Sequence, residues 1–238
     1  MTDCKAMLIS MAKTMGIKVT NPQAEQFQTY LELLLSWNEK MNLTAITDRS
    51  EVVEKHFVDS LTLLSHCKIK PGAKLIDVGT GAGFPGIPLK ILRPDIELTL
   101  LDGLNKRLNF LGEVCSALNI TAERVHKRAE EAGRDHKMRE SYDIVTARAV
   151  APLNILCEYC LPLTKMKGFF LAMKGPGAQE ELAQAERALD ILGGTDRKII
   201  SLSLPTAGER NIIAVQKKAF TPREYPRHGG TITKHPLV

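Results

Sequence analysis

The sequence predicts an α/β fold: a mostly parallel sheet covered by helices on both faces, an antiparallel hairpin at its C-terminal edge, and a helical cap in front of it. Three observations carry this. From residue 74 onward, short β-rich runs alternate with amphipathic helical ones, the pattern of βαβ units. The last two β-rich runs, RKIISLSL and NIIAVQKK, are joined by PTAGER with no helix between them, so they must pair antiparallel. The stretch before residue 67 carries helical periodicity only. The chain therefore divides into a cap over 1–66, an α/β domain over 67–218 and a basic C-terminal tail over 219–238.

In the cap, NPQAEQFQTYLELLLSWNEKMNLT opens with Asn21 as an N-cap and Pro22 at the first helical position, and Phe27, Leu31, Leu34 and Leu35 recur at helical spacing. DRSEVVEKHFVDSLTLLSHC repeats the pattern, with Asp48 as the cap and Val53, Phe57, Leu61 and Leu64 as one stripe. The strands then run KLIDV, ELTLLD, ITAERVHK, YDIVTA, GFFLAMK, RKIISLSL and NIIAVQKK. Between the earlier ones lie the helical segments GIPLKILRP, NKRLNFLGEVCSALN, APLNILCEYCLPL and AQEELAQAERALDIL.

Composition excludes several classes. With 238 residues and 44% hydrophobic content the chain can bury a core. It has no run of about 18 apolar residues, and its N-terminus lacks a basic start followed by an uninterrupted apolar stretch, so neither a membrane span nor secretion is expected. Five cysteines without framework spacing read as free thiols of a reducing cytoplasm. Cys157 and Cys160 form a C-x-x-C, but it lies in an apolar helical run and no second pair completes a zinc site, so no metal is expected. Of the net charge of +5, the segment from Lys217 contributes +4, through Lys217, Lys218, Arg223, Arg227 and Lys234 against Glu224. Such a tail suits a polyanion partner, and equally a solvated terminus. A monomer is the default expectation.

The chemistry concentrates in DVGTGAGFPGIPL, Asp77 to Leu89, between the first strand and a helix. Gly81 and Gly86 have P-loop spacing, but Ile87 and Pro88 stand where lysine and hydroxyl should, which removes an NTPase. Gly81, Gly83 and Gly86 match the dinucleotide fingerprint, with Asp102 placed for a ribose. Against that, Asp77 would repel a pyrophosphate at the loop entrance. S-adenosylmethionine fits better: Asp77 suits its cationic end, the glycine backbone and helix start suit its carboxylate, and Asp102 can accept both ribose hydroxyls. This is the class I S-adenosylmethionine-dependent methyltransferase (Rossmann-like) pattern. Pro85 and Pro88 stiffen the loop and helix start.

The stretches WNEKMNLTAITD, HFVDSL, LIDVGTGAGFPGIPL, LLDGLNKRLNFL, RAEE, DIVTARAVAPL, MKGP and YPRHGGTITKHPL together make the chain resemble the RsmG (GidB) family of 16S ribosomal RNA guanine-N7 methyltransferases, from about residue 37 to the end. The resemblance implies that Gly79 and Phe84 line the cofactor site, with Phe84 against the adenosyl group. It implies that Asp102, Gly103 and Leu104 hold the ribose side, that Ala129 and Glu130 flank the adenine, and that Arg148 faces cofactor or target base. It also implies a partner, 16S ribosomal RNA or an assembling small subunit. Gly103 stands where serine is common in the family, and Lys127 where glycine is.

Guanine N7 carries a lone pair and no proton, so such an enzyme needs placement rather than a general base. Arg148 is the candidate catalytic residue: it can hydrogen-bond guanine O6 or stack on a base, or else pair with Asp102 or Glu130 for structure. His56 and Ser60, one helical turn apart, either reach the site or belong to a core helix. Lys106, Arg107, Arg124, Lys127 and Arg128 form a basic cluster for RNA phosphates or a solvated charged face. A nicotinamide-dependent oxidoreductase and an RNA-binding assembly factor without turnover stay open as alternatives.

Overall fold

Seven strands form one sheet in the order β3-β2-β1-β4-β5-β7-β6 in the computed structural model, which describes residues 3–238. Strands β1 (Lys74–Val78), β2 (Glu97–Asp102), β3 (Glu123–His126), β4 (Tyr142–Arg148) and β5 (Thr164–Lys174) run parallel. Strands β6 (Gly194–Leu204) and β7 (Gly208–Lys217) form an antiparallel hairpin, and β7 enters antiparallel between β5 and β6. This edge departs from the all-parallel order of dinucleotide-binding sheets.

Strand alternation sets two cores. Leu75 of β1, Leu98 and Leu100 of β2 and Ile144 of β4 point to one face. There they meet α5 (Gly86–Leu92), α6 (Asn105–Leu118) and the cap. Ile76, Val78, Leu101, Val145 and Ala147 point to the other face, against α8 (Leu153–Cys160) and α10 (Glu186–Leu192). The cap consists of α1 (Cys4–Thr14), α2 (Asn21–Met41) and a helix running through α3 (Arg49–Val52), a π-helical turn over Val53–Val58 and α4 (Asp59–His66). Buried Phe27, Tyr30, Leu31, Leu34, Phe57 and Leu61 make its inner face.

Several boundaries differ from the sequence expectation. The N-cap of α2 is Thr20, not Asn21: Thr20 and Gln23 form a reciprocal capping box, in which the Gln23 side chain takes the Thr20 N–H at 3.0 Å. Asp48 caps α3 as expected, taking the Glu51 N–H. The segment AQEELAQAERALDIL splits at Ala185 into α9 (Ala178–Gln184) and α10. Two short helices escape periodicity because neither spans two full turns: α7 (Ala129–Arg134) and α11 (Gly229–Lys234).

The tail over 219–238 is not a free basic arm. Lys217 is fully buried at the end of β7, where its Nζ donates to the Leu161 carbonyl and lies 3.2 Å from Glu140. Arg227 pairs with buried Glu158 of α8, and Lys218 with Asp196. Of the five cations read as a basic tail, only Arg223 and Lys234 lack a carboxylate partner among the described residues. Of these pairs only Arg227–Glu158 ties the segment to a helix, α8; Glu140 lies beyond α7, and Asp196 belongs to β6.

Candidate active site

The glycine loop turns at the C-terminal end of β1 and is held from two sides. Gly79 and Thr80 donate their N–H groups to the Leu101 carbonyl at 2.9 and 3.1 Å, tying the loop to β2. Asp102 Oδ2 accepts the Gly81 N–H at 3.0 Å, and Oδ1 accepts the Leu104 N–H at 2.9 Å, so one carboxylate braces the loops after both β1 and β2. Gly79 has a φ of +66°, and a Cβ there would meet Val150 Cγ2 at 2.7 Å; only glycine allows that turn and that approach. Gly83, at φ +100°, sits where a Cβ would strike the Tyr30 hydroxyl at 2.6 Å. Tyr30 of the cap in turn donates to the Ala82 carbonyl, so the cap fixes the loop from behind.

In front of the loop lies a cavity of about 900 Å³. Gly79, Asp102, Gly103, Leu104, Ala129 and Glu130, all expected at the site, line it. Its apolar surfaces come from Leu104 and Val150, which are 53% and 38% exposed, together with Ile155 and Tyr159. Arg128 lies over Gly103, where a Cβ would be 3.1 Å from its Cδ; the guanidinium stem takes the space a serine side chain would need. The fourth side of the cavity is one the sequence did not suggest: His228, Gly229, Gly230 and Thr233 of the C-terminal segment.

Four expected residues do not line this cavity: Asp77, Gly81, Phe84 and Arg148. Asp77 shares the strand face of Leu75, so its side chain points under the loop toward α5 rather than out toward a ligand's cationic end. It is fully buried, and its Oδ2 takes the Thr80 hydroxyl at 2.7 Å and the Gly86 N–H at 2.9 Å. Burial pushes its carboxyl up to about 6, partly offset by those two bonds. Its Oδ1 is buried without a donor among the described residues. Gly81 contributes its N–H to Asp102 and opens onto no side chain. Phe84 turns its ring away from the cavity into the cap. It stacks on His56 with centroids 4.6 Å apart and on Tyr30 at 5.4 Å, because the cap's aromatic cluster offers it a buried surface.

Arg148 ends β4 on the face shared by Ile144, toward the cap, and pairs with neither Asp102 nor Glu130. Its Nη1 donates to Asp59 Oδ2 at 2.8 Å and to the Lys55 carbonyl at 3.1 Å, and its guanidinium lies 4.9 Å from the Phe84 ring centroid. Its Nη2 is 3.3 Å from His56 Nδ1. The same Nδ1 lies 3.1 Å from the Lys55 carbonyl, and Nε2 lies 2.8 Å from Thr44 Oγ1, so the tautomer sets which of these groups donates. Burial and the neighbouring guanidinium hold His56 down to about 3, so the ring stays neutral. The π-helical turn that carries His56 delivers it here. Ser60, by contrast, is buried and donates to the His56 carbonyl, as a core helix residue does.

Arg148 and His56 line a second cavity, of about 440 Å³, with Lys55, Asp59, Lys174 and Arg210. Ala149 lines both cavities and has a φ of +55°, a left-handed conformation that a non-glycine residue adopts at a cost. Of the basic cluster, Arg107, Lys127 and Arg128 reach the first cavity. Arg107 pairs with Asp102 at 3.4 Å and Lys127 with Asp135, while Arg124 donates to the Leu108 carbonyl and Lys106 is exposed. Cys157 and Cys160 are fully buried with thiols raised by burial, which makes them core residues rather than nucleophiles. Among the described residues no group of three or more His, Cys, Asp or Glu is placed to hold a metal, and no helix is long and apolar enough to cross a membrane.

A family model described as GidB, rRNA small subunit methyltransferase G, matches residues 23–213. The chain belongs to the GidB family. A member from Desulforamulus reducens, a ribosomal RNA small subunit methyltransferase G, is 46% identical over 240 residues, with full coverage of both chains. One of the same name from Lachnoclostridium phytofermentans is 49% identical over 95% of this chain and 94% of its own. The GidB chain also shares its fold with a solved S-adenosylmethionine-dependent O-methyltransferase from Thermotoga maritima, at a TM-score of 0.55 and 13% identity over 79% of this chain and 72% of that one. At that identity the likeness concerns the class I methyltransferase fold alone.

Proposed function

We propose that this chain methylates N7 of a guanosine in 16S ribosomal RNA, using S-adenosylmethionine as donor and acting in the cytoplasm as a monomer on RNA or an assembling small subunit. The observation that carries the reading is Ala149, which lines both the cavity in front of the glycine loop and a second cavity that holds arginine and lysine side chains. A donor and a polyanionic acceptor need just such adjoining compartments.

The residues present suit S-adenosylmethionine. Asp102 would hold the ribose hydroxyls with the acceptor capacity left by Gly81, Leu104 and the longer contact to Arg107, and Leu104 and Val150 offer apolar faces to the adenine beside Ala129 and Glu130. Gly79 lets the backbone approach the methionine end. Asp77 acts from beneath, as a brace for Thr80 and Gly86, and its unpaired Oδ1 leaves one buried acceptor beside the loop. When bound, this cofactor supplies a methyl group already activated on a sulfonium.

The protein's own task is then orientation. Guanine N7 needs no deprotonation, which agrees with a site whose histidine is neutral and whose cysteines lie in the core. Arg148 keeps its Nε–H and one Nη2–H beyond the bonds to Asp59, Lys55 and His56, and these can hold a guanine O6 while N7 faces Ala149. Phe84 and His56 fix the guanidinium plane from the other side. Lys55, Lys174 and Arg210, paired with Glu51, Glu181 and Asp59, would reach backbone phosphates by exchanging those partners.

Labelled S-adenosylmethionine, offered with naked rRNA, assembling particles and mature subunits, should yield 7-methylguanosine in 16S rRNA. Binding of rRNA without any methylation would leave an assembly factor instead. Calorimetry showing NAD binding and no S-adenosylmethionine binding would discard the reading.

A further inference from the structure

We infer that the C-terminal segment, residues 219–238, is a cofactor-binding strap: it docks on α7 and α8 and closes the adenosyl end of the cavity. This rests on the reading of that cavity as an S-adenosylmethionine site. The segment lies beyond residues 23–213 that define the family match, so its role is not carried by that match.

The docking is built, not incidental. Arg139 reaches three carbonyls of the segment, those of Thr221, Pro222 and Tyr225, at 2.7, 3.2 and 2.7 Å. Arg134 Nε donates to the Pro226 carbonyl at 2.7 Å. Thr221 gives its N–H to Glu140 at 2.8 Å and its hydroxyl to the Leu192 carbonyl at 2.9 Å. Arg227 grips Glu158, itself fully buried, through its backbone N–H at 2.7 Å, its Nε at 2.9 Å and its Nη2 at 2.7 Å. Pro226 lies against Gly133 of α7, where a Cβ would come within 2.9 Å of its Cγ, and Ile232 is fully buried.

The result is placement. α7 begins at Ala129 and Glu130, on the adenine side of the cavity, and the strap holds that helix from behind at Gly133 and Arg134. The strap then runs on along the cavity, which His228, Gly229, Gly230 and Thr233 line together with Gly103 and Leu104. Gly229 approaches the Glu130 carboxylate so closely that a Cβ would overlap it. A ligand that fills this end of the cavity touches both α7 and the strap, so its binding and the docking of the strap favour one another.

The experiment uses the full chain with S-adenosylhomocysteine. Hydrogen exchange over residues 221–235 is measured with and without the ligand, and its Kd is measured for wild type, for Gly229→Val and for a chain ending at Lys218. The strap predicts slowed exchange over 221–235 on binding. It also predicts a Kd weakened about tenfold or more in Gly229→Val, with the KM for S-adenosylmethionine rising more than kcat falls. Should the shortened chain not fold, wild-type exchange and the point variant still decide. Unchanged exchange in wild type, or an unchanged Kd in a folded Gly229→Val, overturns the strap. A wild type that binds no S-adenosylhomocysteine overturns the functional reading itself.

Discussion

Arg148, at the end of β4, and Asp59, at the start of α4, form an ion pair 2.8 Å long between sheet and cap, with both side chains largely buried. Asp59 also lies 3.4 Å from Arg210 of β7, so one cap carboxylate gathers two arginines from two strands. The pair holds the guanidinium at the boundary of the two cavities while the cap covers the glycine loop.

Removing Arg148 takes the nearer partner from a buried carboxylate but leaves Arg210 at 3.4 Å, so the cost is that of charge-assisted hydrogen bonds, about 1.5–3 kcal/mol. Arg148→Ala is therefore expected to lower stability by about that much in urea unfolding and to abolish methyl transfer, while S-adenosylhomocysteine still binds in calorimetry. Turnover at the wild-type rate would remove Arg148 from the acceptor side.

His56 gives the fold an acid-sensitive joint. Its folded pKa, about 3, lies below the ordinary 6.5, so the unfolded chain binds more protons between those values. Stability from this group is fully present above pH 6.5 and is lost as pH falls toward 3, by up to about 1.4 kcal/mol per unit. His56→Gln should flatten the decline in urea midpoints between pH 6.5 and 4. A slope identical to wild type would mean that the ring is protonated freely.

Asp77 acts with the opposite sign. Its folded pKa, about 6, lies above the ordinary 3.8, so the folded state binds more protons and this contribution falls as pH rises from 3.8 to 6. Full ionisation costs about 3 kcal/mol. Asp77→Asn keeps an acceptor for Gly86 and removes the buried charge, so its stability relative to wild type should improve between pH 4.5 and pH 7. No relative gain across that range would show that Asp77 is solvated in the folded chain.

Gly79→Ala places a methyl group 2.7 Å from Val150 Cγ2 in a left-handed turn. The strain is expected to cost about 1–2 kcal/mol and to move the loop, weakening S-adenosylhomocysteine binding about tenfold in calorimetry. Wild-type affinity would place the ligand away from this turn.

Cys157→Ala should leave methyl transfer intact, because a fully buried thiol held protonated is no nucleophile. The cost is a small cavity, about 1 kcal/mol in unfolding. Loss of turnover in a folded variant would call for a covalent step.

Local pattern made the scaffold legible. KLIDV and ELTLLD are strands over the residues their β-rich runs mark, and PTAGER joins the antiparallel hairpin, because short apolar runs and turn residues act within a few positions. The glycine loop was legible as a special turn because positive φ and close backbone approach need residues without a Cβ.

By itself, then, the sequence determined the α/β sheet and the helical cap, which follow from short-range pattern, and the family resemblance, which implied the set Gly79, Asp102, Gly103, Leu104, Ala129 and Glu130 that lines the cavity. Only the tertiary structure decided where the charges went. Strand alternation turned Asp77 under its loop, the cap drew Phe84 and Arg148 toward His56 and Asp59, and Glu158 and Glu140 took up Arg227 and Lys217 from the tail. The partners lie 89 residues apart for Arg148 and 69 for Arg227. A buried charge pairs with the carboxylate that the fold brings beside it, and no spacing along the chain encodes that choice.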